Sequence, residues 1–243
     1  MGVLGLVLLL VGCAADTQQQ RKDAGASYSL GLAFLQEDRP ARALTELTKA
    51  AALDPTDPRI HNLLGWAYWR KREFSSAEQA FRKAVEIDPK FSEGWNNLGA
   101  LYLDQGRFEE AIPVLETAAA DVFYQTPERA LTNLGWALYN VGRTAEAEKR
   151  YRDALDMAGD FPLAHKHLAL LLQARGDYEQ SLEHLDRARA AMPNDASIQL
   201  KRGISLLKLN QRDAARAAFE DAWQLAPGTE LGQSAKTYLD LLQ

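Results

Sequence analysis

Four histidines, one cysteine and 33 carboxylates are the side chains of this chain that could carry acid–base, nucleophilic or metal chemistry. A closed metal site needs several N, S or O donors converging at fixed separations. No pair among His61, His165, His167 and His184 stands near a carboxylate at such a spacing. His165 and His167 are two apart on a helix and point in different directions, as ordinary helix residues do. No nucleophile motif and no glycine-rich phosphate loop occurs, and Asp and Glu are dispersed over outer faces, where solvated charge is the expectation. The sequence therefore predicts no catalytic residue, no metal and no enzyme. Cys13 has a more telling context. Residues 1–12, MGVLGLVLLLVG, are apolar throughout, too short to span a bilayer as a helix, and run directly into it. One cysteine excludes an internal disulfide, and the polar run after it argues against a thiol buried at the end of a core helix.

The elements that position these residues are set by a period. Counting from Gly31, equivalent small residues recur at Gly65, Gly99, Gly135, Ala169 and Gly203, in steps of 34, 34, 36, 34 and 34. Twelve residues past each stands Ala43, Ala77, Ala111, Ala147, Ser181 or Ala215; sixteen past, Leu47, Phe81, Leu115, Tyr151, Leu185 or Phe219. Nineteen past, the residue is always alanine: Ala50, Ala84, Ala118, Ala154, Ala188 and Ala222. Each unit reads as two helices and a stop; Pro55, Pro89, Pro193 and Pro227 end the second helix because proline lacks an N–H and clashes with the preceding turn, and repeats three and four lack this proline. This signature resembles the tetratricopeptide repeat. It implies an all-α, right-handed superhelix of six helix-turn-helix repeats at 24–57, 58–91, 92–127, 128–161, 162–195 and 196–229. Residues 230–243 then form a capping helix, with Leu231, Tyr238 and Leu241 against repeat six.

Within each repeat the turn falls seven residues past the reference position, at Asp38, Arg72, Gly106, Gly142, Gly176 and Asn210. Glycine or asparagine there permits the left-handed conformation that closes a helix. Asp57 is placed to cap the first helix of repeat two, with Pro58 in its first turn. The junction between repeats three and four carries two extra residues and no proline at the usual place. It predicts a longer second helix, an extended piece through Phe123 and Tyr124, and a helix capped by Thr126 with Pro127 at its first position. Residues 13–23, short of apolar side chains, read as a flexible tether. A formal net charge of -5 offers no basic footprint for nucleic acid.

A helix face that looks inward without serving its own repeat's packing is where a partner would sit. Those positions are Tyr28, Leu32 and Leu35 in repeat one; Asn62, Trp66 and Trp69 in repeat two; and Asn96, Ala100 and Leu103 in repeat three. Thr132, Trp136 and Tyr139 are their equivalents in repeat four. Large apolar side chains exposed together mark binding surfaces, and tryptophan and tyrosine are favoured anchors. A blander reading has Trp66 and Trp69 packing against a neighbouring first helix, with Trp95 at an ordinary packing position. Repeat domains that grip acidic tails set lysine and asparagine on this face. Here Tyr28 and Asn62 take those places, with Leu32 and Trp66 a turn on, so the expected ligand is an apolar or amphipathic peptide. Phe123 and Tyr124 form a candidate accessory loop beside it.

Two resemblances sharpen this. Leu10-Val11-Gly12-Cys13 resembles the lipobox of bacterial lipoproteins, although the run before it lacks the usual Lys or Arg, which points to a start upstream of Met1. The resemblance implies a signal peptide at 1–12, acyl chains on Cys13 and, because Ala14 is not the aspartate of inner-membrane retention, an outer-membrane location facing the periplasm. Asn96-Asn97-Leu98-Gly99, Gly106 to Ala111, Tyr124, Pro127-Glu128, Asn133-Leu134-Gly135 and Gly142 resemble repeats three and four of the type IV pilus biogenesis lipoproteins PilF, PilW and Tgl. That likeness implies a monomeric pilotin, without cofactor beyond the lipid. Such a protein binds secretin subunits and brings them to the outer membrane, where they form the ring through which the pilus passes. The alternatives are a scaffold lipoprotein for a periplasmic peptidoglycan complex and a non-catalytic subunit that recruits an enzyme.

Overall fold

The computed structural model describes the backbone of residues 3–242 and the side chains of 18–242. Among the described residues there is helix and no strand. Two compact units are distinguished, Met1–Tyr124 and Gln125–Gln243. The first holds α1 (Val3–Gln36), α2 (Pro40–Leu53), α3 (Pro58–Arg70), α4 (Phe74–Ile87), α5 (Ser92–Asp104) and α6 (Phe108–Ala119). The second holds α7 (Pro127–Asn140), α8 (Thr144–Met157), α9 (Pro162–Arg175), α10 (Tyr178–Ala191), α11 (Ala196–Lys208), α12 (Arg212–Leu225) and α13 (Glu230–Leu241). No described helix is long and apolar enough to cross a membrane.

Each repeat is closed by the small residue of its first helix. A Cβ on Gly65 would stand 2.6 Å from the Phe81 ring, and one on Gly99 2.4 Å from Leu115, so the bulky residue sixteen positions on fills the space that a side chain would need. In repeat five, where alanine replaces glycine, Ser181 Oγ instead donates to Ala169 O at 2.9 Å. The six alanines at the nineteenth position are completely buried. Within each unit they let the second helix of a repeat lie close to the first helix of the next, as α2 does to α3 and α8 to α9. All six intra-repeat turns are left-handed, including those at the non-glycine residues Asp38 (φ 55°), Arg72 (φ 61°) and Asn210 (φ 59°).

A four-membered polar cluster ties repeat two to repeat three. Glu78 receives Arg107 Nη1 (2.6 Å), Arg82 Nε (3.0 Å) and the Tyr102 hydroxyl (2.9 Å). Arg107 also lies 4.3 Å over the Tyr102 ring. Burial works to raise the Glu78 carboxyl, but Arg107, Tyr102 and Arg82 outweigh it and hold the group down at about 2. A lowered carboxylate contributes stability above its unfolded value, and that contribution is lost as pH falls from the ordinary carboxylate range towards 2.

Asp57 caps α3 as expected, its side chain accepting from Arg59 N, with Pro58 in the first turn. The helical segment expected as a tether, 13–23, lies on α1 instead, and its described residues 18–23 continue the first helix of repeat one. Gln, Arg, Lys and Ala are good helix formers, and no Gly or Pro separates them from Ala24. Side chains 1–17, Cys13 among them, lie outside the described residues. The third junction also differs from expectation. Helix α6 stops at Ala119, earlier than expected, because Asp121 closes a turn by accepting from Ser92 Oγ (2.5 Å) and Phe123 N (2.9 Å). Thr126 precedes α7 but its hydroxyl makes no cap bond, while Pro127 holds the first turn. At the C-terminus, Tyr238 stacks on Phe219 with centroids 4.7 Å apart and Leu242 is buried, whereas Leu241, expected in that contact, is 72% exposed.

Two outcomes follow from this packing. Gly99→Val forces Leu115 out of its seat and lowers stability by about 1–3 kcal/mol, read as a Tm drop of roughly 2–4 °C per kcal/mol in thermal melts. Glu78→Gln lowers stability at neutral pH and flattens the fall in stability between pH 4.5 and 2 that the parent shows in denaturant titrations.

Candidate partner groove

In the first unit the groove is built by three first helices side by side, α1, α3 and α5. The expected face follows from helical period: residues three before, one after and four after each reference glycine fall on one stripe. Leu32, Leu35 and Trp66 do converge, lining a groove of about 310 Å³ with Leu63, Gln36, Arg70 and Glu93. Its floor is aliphatic and aromatic, and its rim is charged. Trp66 and Trp69 stack with centroids 4.9 Å apart, and both stand edge-on to Phe81 at 6.5 and 6.3 Å. Both rings remain half-buried. Trp69 is also fixed at its polar end, where Nε1 donates to Asp104 Oδ2 at 2.8 Å. Tyr28 and Leu103 are half-buried as well. Arg59 lies 5.5 Å over the Tyr28 ring, and burial raises the phenol above its ordinary value against the opposing pull of Arg59.

Asn62 and Asn96 do not belong to the accessible face. Asn62 is 2% and Asn96 4% exposed. Asn62 Oδ1 accepts from Asn97 Nδ2 at 2.9 Å, and its Nδ2 donates to Glu93 Oε1 at 3.3 Å, so its amide fastens α3 to α5. Trp95 packs as expected, half-buried, with Nε1 donating to Pro89 O. Of the loop pair, Phe123 is 84% exposed and Tyr124 half-buried.

In the second unit, Trp136 and Tyr139 stack at 5.7 Å on α7, and Trp136 also meets His167 of α9 at 4.6 Å. His167 lies parallel to the fully buried Tyr151. Burial, reinforced by Lys166, pushes His167 down to about 4, so its ring is neutral and serves as an aromatic spacer. Thr132 is buried, its hydroxyl donating to Glu128 O. Among the described residues no group of three or more His, Cys, Asp or Glu side chains could hold a metal ion.

Leu63, Glu93, Arg70 and Asp104 were not singled out by sequence, and His167 was read there as an ordinary helix residue. A signal for some of them existed in contacts about one period apart: Asp38 with Arg70, Trp69 with Asp104, and Asn62 with Asn97. Reading neighbouring repeats against each other, residue by residue, brings out these cross-repeat pairs.

Family models described as tetratricopeptide repeat match residues 16–58 and 28–90, 92–160, 138–204 and 198–229. The chain is 28% identical over 234 residues to the type IV pilus assembly protein PilF of Pseudomonas aeruginosa, with 92% of each chain covered. The solved structure of Pseudomonas aeruginosa PilF superposes with a TM-score of 0.82 at 24% identity, over 90% of this chain and 99% of that one. The crystal structure of PilW, a widely conserved type IV pilus biogenesis factor, does so with a TM-score of 0.78 at 22% identity, over 88% and 98%. At these identities the two structures establish the shared fold.

Asp104→Ala frees the Trp69 indole edge without disturbing its stack on Trp66. Stability changes by less than about 1 kcal/mol, and acrylamide quenching of tryptophan fluorescence increases.

Proposed function

The chain belongs to the tetratricopeptide-repeat family of type IV pilus biogenesis proteins, and from that premise we propose that it acts as a pilotin for the pilus secretin. In this reading it has no catalytic activity and needs no cofactor. Acyl chains on Cys13 anchor it to the periplasmic face of the outer membrane, each buried methylene contributing about 0.8 kcal/mol. The repeats bind an apolar or amphipathic segment of the secretin subunit and shelter it until the ring assembles.

The observation that carries this reading is the groove of Leu32, Leu35, Leu63 and Trp66, an apolar floor with Arg70 and Glu93 at its edge. Such a surface suits an amphipathic helix or strand, whose apolar side chains enter the floor while its polar flank meets the charged rim. Desolvated aromatic anchors supply a disproportionate share of such binding, about 2 kcal/mol or more each. The pairing of Trp69 with Asp104 and of Asn62 with Asn97 supports the same reading by holding the floor in one arrangement, which reduces the ordering cost on binding.

Trp66→Ala with Trp69→Ala weakens secretin capture in a pull-down by at least about tenfold and leaves the helical circular-dichroism signal in place. Unchanged capture moves the contact elsewhere, with Phe123 the next residue to vary. Cys13→Ala leaves the fold intact and mislocalises the secretin; heat-resistant secretin multimers at their normal level in that strain would count against the mechanism.

A further inference from the structure

The histidines of α9 project to opposite sides of the helix, and both are held. His165 Nε2 lies 2.9 Å from Gly159 O, a carbonyl that only accepts, so that nitrogen carries a proton and Nδ1 of the neutral ring is an acceptor. Its Nδ1 stands 2.8 Å from Nδ1 of His184 on α10. The space between the two Nδ1 atoms holds one proton. A doubly protonated pair would set N–H against N–H at that distance. On the other side of α9, His167 stacks on Tyr151 of α8 and meets Trp136 of α7 at a tilt of 33°.

We propose that α9 is an acid-released latch: neutral imidazoles hold it to α10 on one side and to the aromatic layer of α7 and α8 on the other, and acidification loosens it together with the face carrying Trp136 and Tyr139. The surroundings favour release. Arg187 from α10 and Arg152 from α8, the latter paired with Glu148 at 2.8 Å, face the pair, and Asp160 in the α8–α9 turn opposes them. Lys166 stands beside His167, and Asp195 at the start of α11 is already engaged by Lys166 at 2.7 Å. Burial lowers all three groups, His184 and His167 to about 4. The sign follows: the unfolded segment binds more protons than the folded one below the ordinary histidine value. Stability contributed by these rings is therefore present above about pH 6.5 and falls as pH drops towards 4. The inference goes beyond the proposed partner and does not depend on it.

The test is hydrogen exchange of the full chain at roughly pH 7.5 and pH 5, corrected for intrinsic rates, with histidine ring signals followed by NMR. Protection in α9 and α10 falls by roughly tenfold or more at the lower pH, while α3 to α5, whose only histidine is His61, change little. His167→Phe keeps an aromatic ring that cannot titrate and reduces the loss. Equal protection in α9 and α10 at the two pH values, a loss spread evenly over both units, or rings that protonate near their ordinary value without loss of protection overturns the latch. The wild-type exchange decides the matter even where a variant folds poorly.

Discussion

Close approach of helices across side chains no larger than a methyl group is the constraint on which this molecule rests. Ala50, Ala84, Ala118, Ala154, Ala188 and Ala222 have no solvent exposure. Within each repeat a glycine or alanine faces a large residue sixteen positions later. Dense packing of this kind leaves no slack for an added methylene. It also means that within each unit a helix pair rests on its neighbours, and that stability is distributed as a sum of local contacts. The first helices are brought side by side as a by-product, and their remaining flank becomes a surface.

In the first unit that surface has two layers with different duties. Asn62 and Asn97 form a buried amide pair, continued to the exposed Glu93 at the rim, that fixes α3 against α5. Above it, Leu32, Leu35, Leu63 and Trp66 are left without polar obligations. A buried amide left unpaired would be costly, so the polar layer enforces one register between the helices. The exposed ion pairs, such as Arg70 with Asp38, add little to stability. Their place is at the rim, where charge steers and orients an approaching segment.

Much of the fold was legible because the period is an arithmetic property of the chain. Spacing alone located the six left-handed turns, even where Asp38 and Arg72 stand in place of glycine. The neighbouring aromatics Trp66 with Trp69 and Trp136 with Tyr139 were legible for a similar reason, since helical period fixes which residues share a stripe. Asn62 and Asn96 were misread because a buried amide and an exposed one occupy the same place in a helical pattern; for Asn62 the contact that distinguishes them comes from the next repeat's Asn97. Residues 18–23 were misread because polarity without Gly or Pro is equally compatible with a solvated helix. The early end of α6 depends on Ser92, a residue 29 positions from its partner Asp121, and no local rule contains that contact.

Helix α13 closes the array behind repeat six. Tyr238 lies flat on Phe219, and Leu242 is buried in the same cluster, filling the seam that another repeat would need. A seventh unit cannot simply be appended there, because its first helix would have to displace the aromatic pair. Extension beyond α12 would therefore forfeit the burial that α13 supplies to repeat six.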